Sequence, residues 1–210
     1  MRVACYRPYT KQFIYFDPFF NAAPSLLPKV FPTTAHTNIG FYEVGVGSDK
    51  PFAVLMTDSV PDLAMWGSSN GHYFPRWTYE KASEEDQGSL LDASGDVDEL
   101  GYGRVDNITD GILTLYRQEF GPQVTKDDVF FYVYGVLHSE HYRTTFAADL
   151  KRMLPRIPLA ATTSDFEAFV QAGRMLADLH VNYETVEPYP LHEQATMGAD
   201  EWELHRVTKM

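Results

Sequence analysis

Two histidines, His138 and His141, stand three apart around Ser139 and Glu140. On an unbroken helix that spacing sets two imidazoles on one face, where a zinc-like ion is held. Ser139 is a strong N-cap type, so a helix boundary falls between the two rings and they should diverge. We read His138 as a structural histidine beside a helix cap; a small metal-dependent hydrolase is the competing reading. The single Cys5 rules out an internal disulfide and a multi-cysteine zinc site. As a nucleophile Cys5 would need a neighbouring base, and in a β-prone run a small buried thiol is the ordinary reading. Gly101-Tyr-Gly103 is too short to cradle a phosphate and reads as turn chemistry. A phosphate loop of the form G-x-x-x-x-G-K-[ST], a G-x-S-x-G elbow and H-E-x-x-H are all missing. No catalytic residue, metal site or cofactor is expected.

What survives is recognition chemistry. Arg7 carries the planar fork that suits a phosphate, or guanine O6 and N7; the competing reading is an ion pair with Asp17 or packing of its stem on Tyr15. Lys11 and Arg76 are further candidates for contact with nucleic acid. Trp66–Gly71 (WGSSNG) is a polar tip between two strand candidates. Its Ser68 and Asn70 are small enough to approach base edges, and an Asn amide pairs with adenine N6 and N7; a plain hairpin loop is the alternative. Arg143, Lys151, Arg152 and Arg156 would follow phosphates, or form a solvated helix end whose dipole favours cations. On a helix, Lys151 and Arg152 would point about 100° apart.

The elements that must position these residues fall into two halves. Residues 1–80 read as β-rich. Arg2–Tyr6 and Gln12–Phe16 are short strands joined by a Pro-Tyr-Thr turn. Prolines 18, 24, 28 and 32 argue against regular structure in the connection that follows. Ile39–Val46 and Phe52–Thr57 are strand candidates, and Tyr73–Tyr79 suits one edge strand with aromatics at alternate positions. Residues 81–103 are a polar, acidic loop. Residues 104–191 read as helical. Ile108–Phe120 ends at Gly121-Pro122, and Thr125–Asp128 forms a capping box before the apolar run Val129–His138, which should be deeply buried. A further helix from Ser139 carries Tyr142, Phe146, Leu150 and Leu154 on one stripe until Pro155 and Pro158 stop it. Ser164–Glu167 is a second capping box, for a helix to about His180 with Phe166, Phe169, Val170, Gly173 and Ala177 inward. The tail 192–210 is weakly patterned, with a candidate strand at Trp202–Val207. The expected fold class is α+β: a β-rich N-terminal half and a helical C-terminal half around one core.

With 210 residues the chain can bury about 70% of its unfolded surface. Net charge is −12, which counts against nucleic-acid binding by the whole surface. The charge is uneven. Glu80–Glu99 holds eight acids against Lys81 alone, whereas residues 1–29 and 142–156 each carry a local +3. No apolar run approaches the length of a membrane span, and the N-terminus lacks a signal-peptide apolar region. One cysteine fits a reducing compartment, so the cytoplasm is the expected location.

Three longer lines carry a resemblance. They are CYRPYTKQFIYFDP (Cys5–Pro18), YGVLHSEHYRTTFAADLKRMLPRIP (Tyr134–Pro158) and AGRMLADLHVNYETVEPYPL (Ala172–Leu191). In this order, across almost the whole chain, they resemble the C-terminal target-recognition region of type ISP restriction-modification enzymes. Those enzymes join a nuclease, an ATP-driven translocase, an N6-adenine methyltransferase and a recognition domain in one polypeptide. The resemblance implies a specificity module without chemistry of its own. Its partners would be double-stranded DNA and the methyltransferase and translocase domains of a parent enzyme. Arg7 would lie in the opening strand pair of the recognition region. No methyltransferase NPPY-type or translocase motif occurs, so neither S-adenosylmethionine nor ATP is an expected ligand. The family runs on past a line like Trp202–Met210, so the chain reads as truncated. A protein-docking module packing on a methyltransferase or translocase is the alternative function. The DNA reading expects cations from both ends of the chain, Arg7 and Arg76 with Lys151 and Arg156, to converge on one concave strip.

Overall fold

The computed structural model describes residues 1–17, 19–21, 25–67, 70–82, 97–190 and 200. The chain opens with a hairpin of β1 (Arg2–Arg7) and β2 (Thr10–Ile14). One helical turn, α1 (Leu27–Val30), interrupts the proline-punctuated connection. Then come β3 (Gly40–Glu43), β4 (Val54–Thr57), β5 (Val60–Pro61), β6 (His72–Pro75), β7 (Trp77–Lys81) and β8 (Tyr102–Asp106). They build three small sheets in the orders β2-β1-β5, β4-β3-β6 and β7-β8.

The run Tyr73–Tyr79 is two strands, not one. It breaks at Arg76, where the chain leaves its pairing with β3 and enters a pairing with β8. The buried Arg76 guanidinium holds Asp106 and Asp127 at the break. Strand β8 begins inside the stretch expected to be loop up to Gly103. Most of the acidic loop (83–96) and the Trp202–Val207 run lie outside the described residues.

The helical half starts with α2 (Asp110–Phe120), N-capped by Thr109, and α3 (Lys126–His138). Both arms of the Thr125–Asp128 capping box are formed, at 3.1 and 2.9 Å. Ser139 caps α4 (Glu140–Thr145). This helix is shorter than the sequence predicts. Thr144 and Thr145 are poor helix formers, and the chain beyond them turns back. The expected apolar stripe is therefore broken: Tyr142 and Leu150 are buried, whereas Phe146 and Leu154 are exposed. The last helix, α5 (Thr163–Val181), is capped by Thr162 rather than Ser164: the Thr162 hydroxyl accepts from the Asp165 N–H at 3.1 Å and donates to the Asp165 carboxylate at 2.7 Å. Of its expected inner face, Phe166, Val170, Gly173 and Ala177 are buried and Phe169 is partly buried against the core.

The two halves share a core. Phe41 on β3 packs against Phe130 and Tyr134 of α3. Phe120 of α2 stacks on Phe166 of α5 with centroids 4.4 Å apart. Smaller apolar clusters sit beneath β1–β5 and around Met65. The fold is α+β, as the sequence patterning predicts.

Candidate nucleic-acid interface

Tyrosine hydroxyls pin the loops. The buried Tyr42 on β3 donates its hydroxyl proton to the Leu63 carbonyl and accepts from the Gly71 N–H at 2.7 Å, holding both ends of the 63–71 loop. Asp62 turns the loop by accepting from the Ala64 N–H at 2.7 Å, and Met65 anchors it with no exposed surface. The same device secures the segment after α4. Tyr142 donates to the Arg156 carbonyl at 2.9 Å and Tyr132 to the Pro158 carbonyl at 2.7 Å. A rigid phenol reaches across the core to satisfy a loop carbonyl at low entropic cost.

Three chain segments are stitched together on this side. At Gly45, a β-carbon would fall 1.6 Å from the Asn70 carbonyl oxygen, so only glycine lets the 63–71 loop lie against the β3–β4 connection. The Gly47 N–H then donates to the Lys151 carbonyl at 3.0 Å, tying that connection to the turn after α4. Arg143 on α4 donates to the Phe52 carbonyl, and its guanidinium carbon stands 6.0 Å from the Phe52 ring centroid. Asn70 is exposed beside Gly71 at the end of the loop, and Ser68 lies outside the described residues.

Arg143 and Lys151 line a depression of about 610 Å³ together with Lys50, Phe52, His138 and Glu140. Lys151, Arg152 and Arg156 are exposed, and no ion pair holds them among the described residues. Lys151 and Arg152 lie in turns rather than on a helix. Lys50 is the residue that sequence reasoning missed. Its proximity to Lys151 arises in the fold, where the Gly47 hydrogen bond ties the two turns together; the sole sequence signal is a lysine in the turn-rich Gly47–Pro51 stretch.

The N-terminal cations have partners of their own. Arg7 lies 3.5 Å from Asp62 and 4.0 Å from the Tyr6 ring centroid, not with Asp17 or Tyr15. Lys11 pairs with Glu184 at 2.9 Å, and this hydrogen bond is the main reason its ammonium is held above the ordinary range. Lys11 lines a separate depression with Glu184, Asp58 and His36. Arg76 is internal, so the cationic strip expected from both chain ends does not include it. Cys5 is buried, its thiol donates to the Arg7 carbonyl at 3.3 Å, and burial pushes its pKa up, which disfavours a thiolate nucleophile. His138 packs on Tyr134 and His180, while His141 is exposed. Burial, with His180 and Arg143 nearby, pushes the His138 imidazole down to about 4. No group of three metal-ligating His, Cys, Asp or Glu side chains occurs among the described residues.

A family model described as the Type ISP C-terminal specificity domain matches residues 1–210. The chain is also similar to parts of three solved structures. One is a DrdV–DNA complex (TM-score 0.75, 29% identity, 90% of this chain and 16% of that one). Another is the ATP-dependent Type ISP restriction-modification enzyme LlaBIII bound to DNA (0.71, 25%, 92% and 11%). The third is a nuclease-deletion mutant of the Type ISP enzyme LlaGI in complex with a DNA substrate mimic (0.67, 33%, 90% and 14%). This chain thus spans less than a fifth of each of them. No curated protein matches it.

Proposed function

Since the chain belongs to the Type ISP C-terminal specificity domain family, we propose that it recognises duplex DNA in a sequence-specific way for a restriction-modification enzyme and performs no chemistry of its own. The observation that carries this reading is the stitched surface. It sets the exposed Asn70 on the same assembly of segments as Arg143 and Lys151, although the sequence separates them by more than 70 residues. Asn70 would read a base edge, and Arg143, Lys151, Arg152 and Arg156 would fix register on phosphates. Arg7 borders the Asp62 end of the same loop and is a further candidate. Lys11 and Arg76 contribute through their ion pairs to the scaffold. Ser68 keeps the candidacy its type and position give it.

The test is repeated selection from a random-sequence duplex pool, followed by fluorescence anisotropy on the enriched duplex. One motif should be enriched, and Asn70→Ala should cost about 1–3 kcal/mol at one base pair of it while barely changing affinity for unrelated duplexes. Recovery of unselected pool sequence, or an Asn70→Ala variant with unchanged preference, would overturn the reading.

Docking on the methyltransferase or translocase part of a parent polypeptide is a second reading. It is favoured by Phe13, Phe19 and Phe20, which are 79%, 87% and 67% exposed near the start of the chain. Replacing all three by Ser should leave duplex selection intact and weaken association with such a polypeptide in analytical ultracentrifugation.

A further inference from the structure

We infer that the depression between Lys50 and Lys151 seats one backbone phosphodiester of the bound duplex, and that Lys50 couples this phosphate to the base-reading loop. The inference rests on the DNA reading above and adds a binding role for Lys50.

Lys50 reaches both structures. Its Cε lies 3.8 Å from where a β-carbon on Gly67 would stand, so its stem passes the 63–71 loop at Gly67, while its residue lines the depression shared with Arg143 and Lys151. Its described ion pair is with the adjacent Asp49 at 3.6 Å, with both side chains well exposed; such a contact is worth little in water and exchanges readily for a phosphate. Lys151 is exposed and has no ion pair among the described residues. The Arg143 guanidinium is bound to a neutral carbonyl, so its charge is not cancelled. Neutral His138 forms part of the wall and adds no charge. Asp49 and Glu140 also line the depression, leaving three cations against two carboxylates. That balance suits one monoanionic phosphodiester better than a dianionic free phosphate or a polyphosphate. The Gly47-to-Lys151 hydrogen bond holds the two sides of the depression in fixed relation.

The experiment uses the 210-residue chain, its Lys50→Ala and Lys151→Ala variants and the double variant. Each single variant should weaken binding to selected and unrelated duplexes alike, by about tenfold at 0.1 M salt, and lower the slope of log affinity against log salt by about 0.9. A duplex in which single phosphates are replaced in turn by neutral methylphosphonates should reveal one position that weakens the unaltered chain and has no further effect on the double variant. Inorganic phosphate alone should cause no Lys50-dependent shift in the protein's NMR spectrum. Duplex binding with an unchanged salt slope in both variants would overturn the subsite while leaving DNA recognition standing. So would a methylphosphonate scan without a coupled position, and Lys50-dependent binding of inorganic phosphate would reassign the depression to free phosphate. Failure of the unaltered chain to bind any duplex would overturn both.

Discussion

Glu43 sits at the end of β3 on the same sheet face as Phe41, with its side chain 2% exposed. One carboxyl oxygen lies 3.5 Å from His72 Nδ1, and the other has no partner among the described residues. Burial pushes this carboxyl up to about 7. The native state therefore keeps the proton where the unfolded chain releases it, between the ordinary carboxylate range and about pH 7. The stability associated with neutral Glu43 is complete at low pH and is lost as pH rises through 7. Glu43→Gln should have little effect at pH 4. Above pH 7 it should stabilise by up to ~2 kcal/mol, allowing for screening from the open His72 side, or about 4 °C in Tm. Thermal melts across pH check the sign and the window. Arg76 poses the opposite test. Arg76→Ala strips Asp106 and Asp127 of their shared cation and should destabilise by about 2 kcal/mol, less than a fully buried pair because both carboxylates are half-exposed. Duplex affinity per folded molecule should not change; a loss in anisotropy without a loss in Tm would return Arg76 to the interface.

At the level of elements, the helix pair α3–α5 sets the spacing of the helical half. A β-carbon on Gly173 would stand 1.9 Å from the Phe131 carbonyl oxygen, and one on Gly135 would stand 2.3 Å from that of Phe169. The two backbones approach through paired glycines. Gly173→Ala gains about 1 kcal/mol of helix propensity but forces the helices apart, and overpacking of this kind costs more. We expect a net loss of about 2 kcal/mol in urea unfolding. Gly111→Ala in α2 provides the contrast. Its β-carbon meets nothing closer than 3.9 Å, so the same substitution should stabilise slightly. Equal effects at the two glycines would show that the α3–α5 approach does not limit packing.

For the whole molecule, a net charge of −12 must coexist with the duplex binding we propose. Far carboxylates are screened within a Debye length of about 8 Å at physiological salt, whereas a cation touching a phosphate releases a counterion outright. Binding by the isolated chain should therefore be weak and fall steeply with salt. An anisotropy titration from 50 to 200 mM salt measures this, and a flat response would mean the cations do not meet phosphates. No helix of the described residues is long and apolar enough to cross a membrane.

The sequence by itself determined the local rules: the Thr125 capping box, the Ser139 cap, the buried apolar run of α3, the inner face of α5 and the α+β division. Each depends on residues a few positions apart, where propensity and periodicity act. It misjudged the end of α4, the cap of α5 and the break at Arg76. There the deciding partner was either a nearby competitor, such as Asp165 for the cap, or a distant carboxylate, such as Asp127 for Arg76. The candidate interface was half legible: Asn70, Arg143 and Lys151 stood out by type, but Lys50 did not, and Arg76 and Lys11 looked free. Only the tertiary structure decided which cations remain exposed and which are neutralised. Charge neutralisation is a through-space effect: Asp106 and Asp127 reach Arg76, and Glu184 reaches Lys11, from far along the chain.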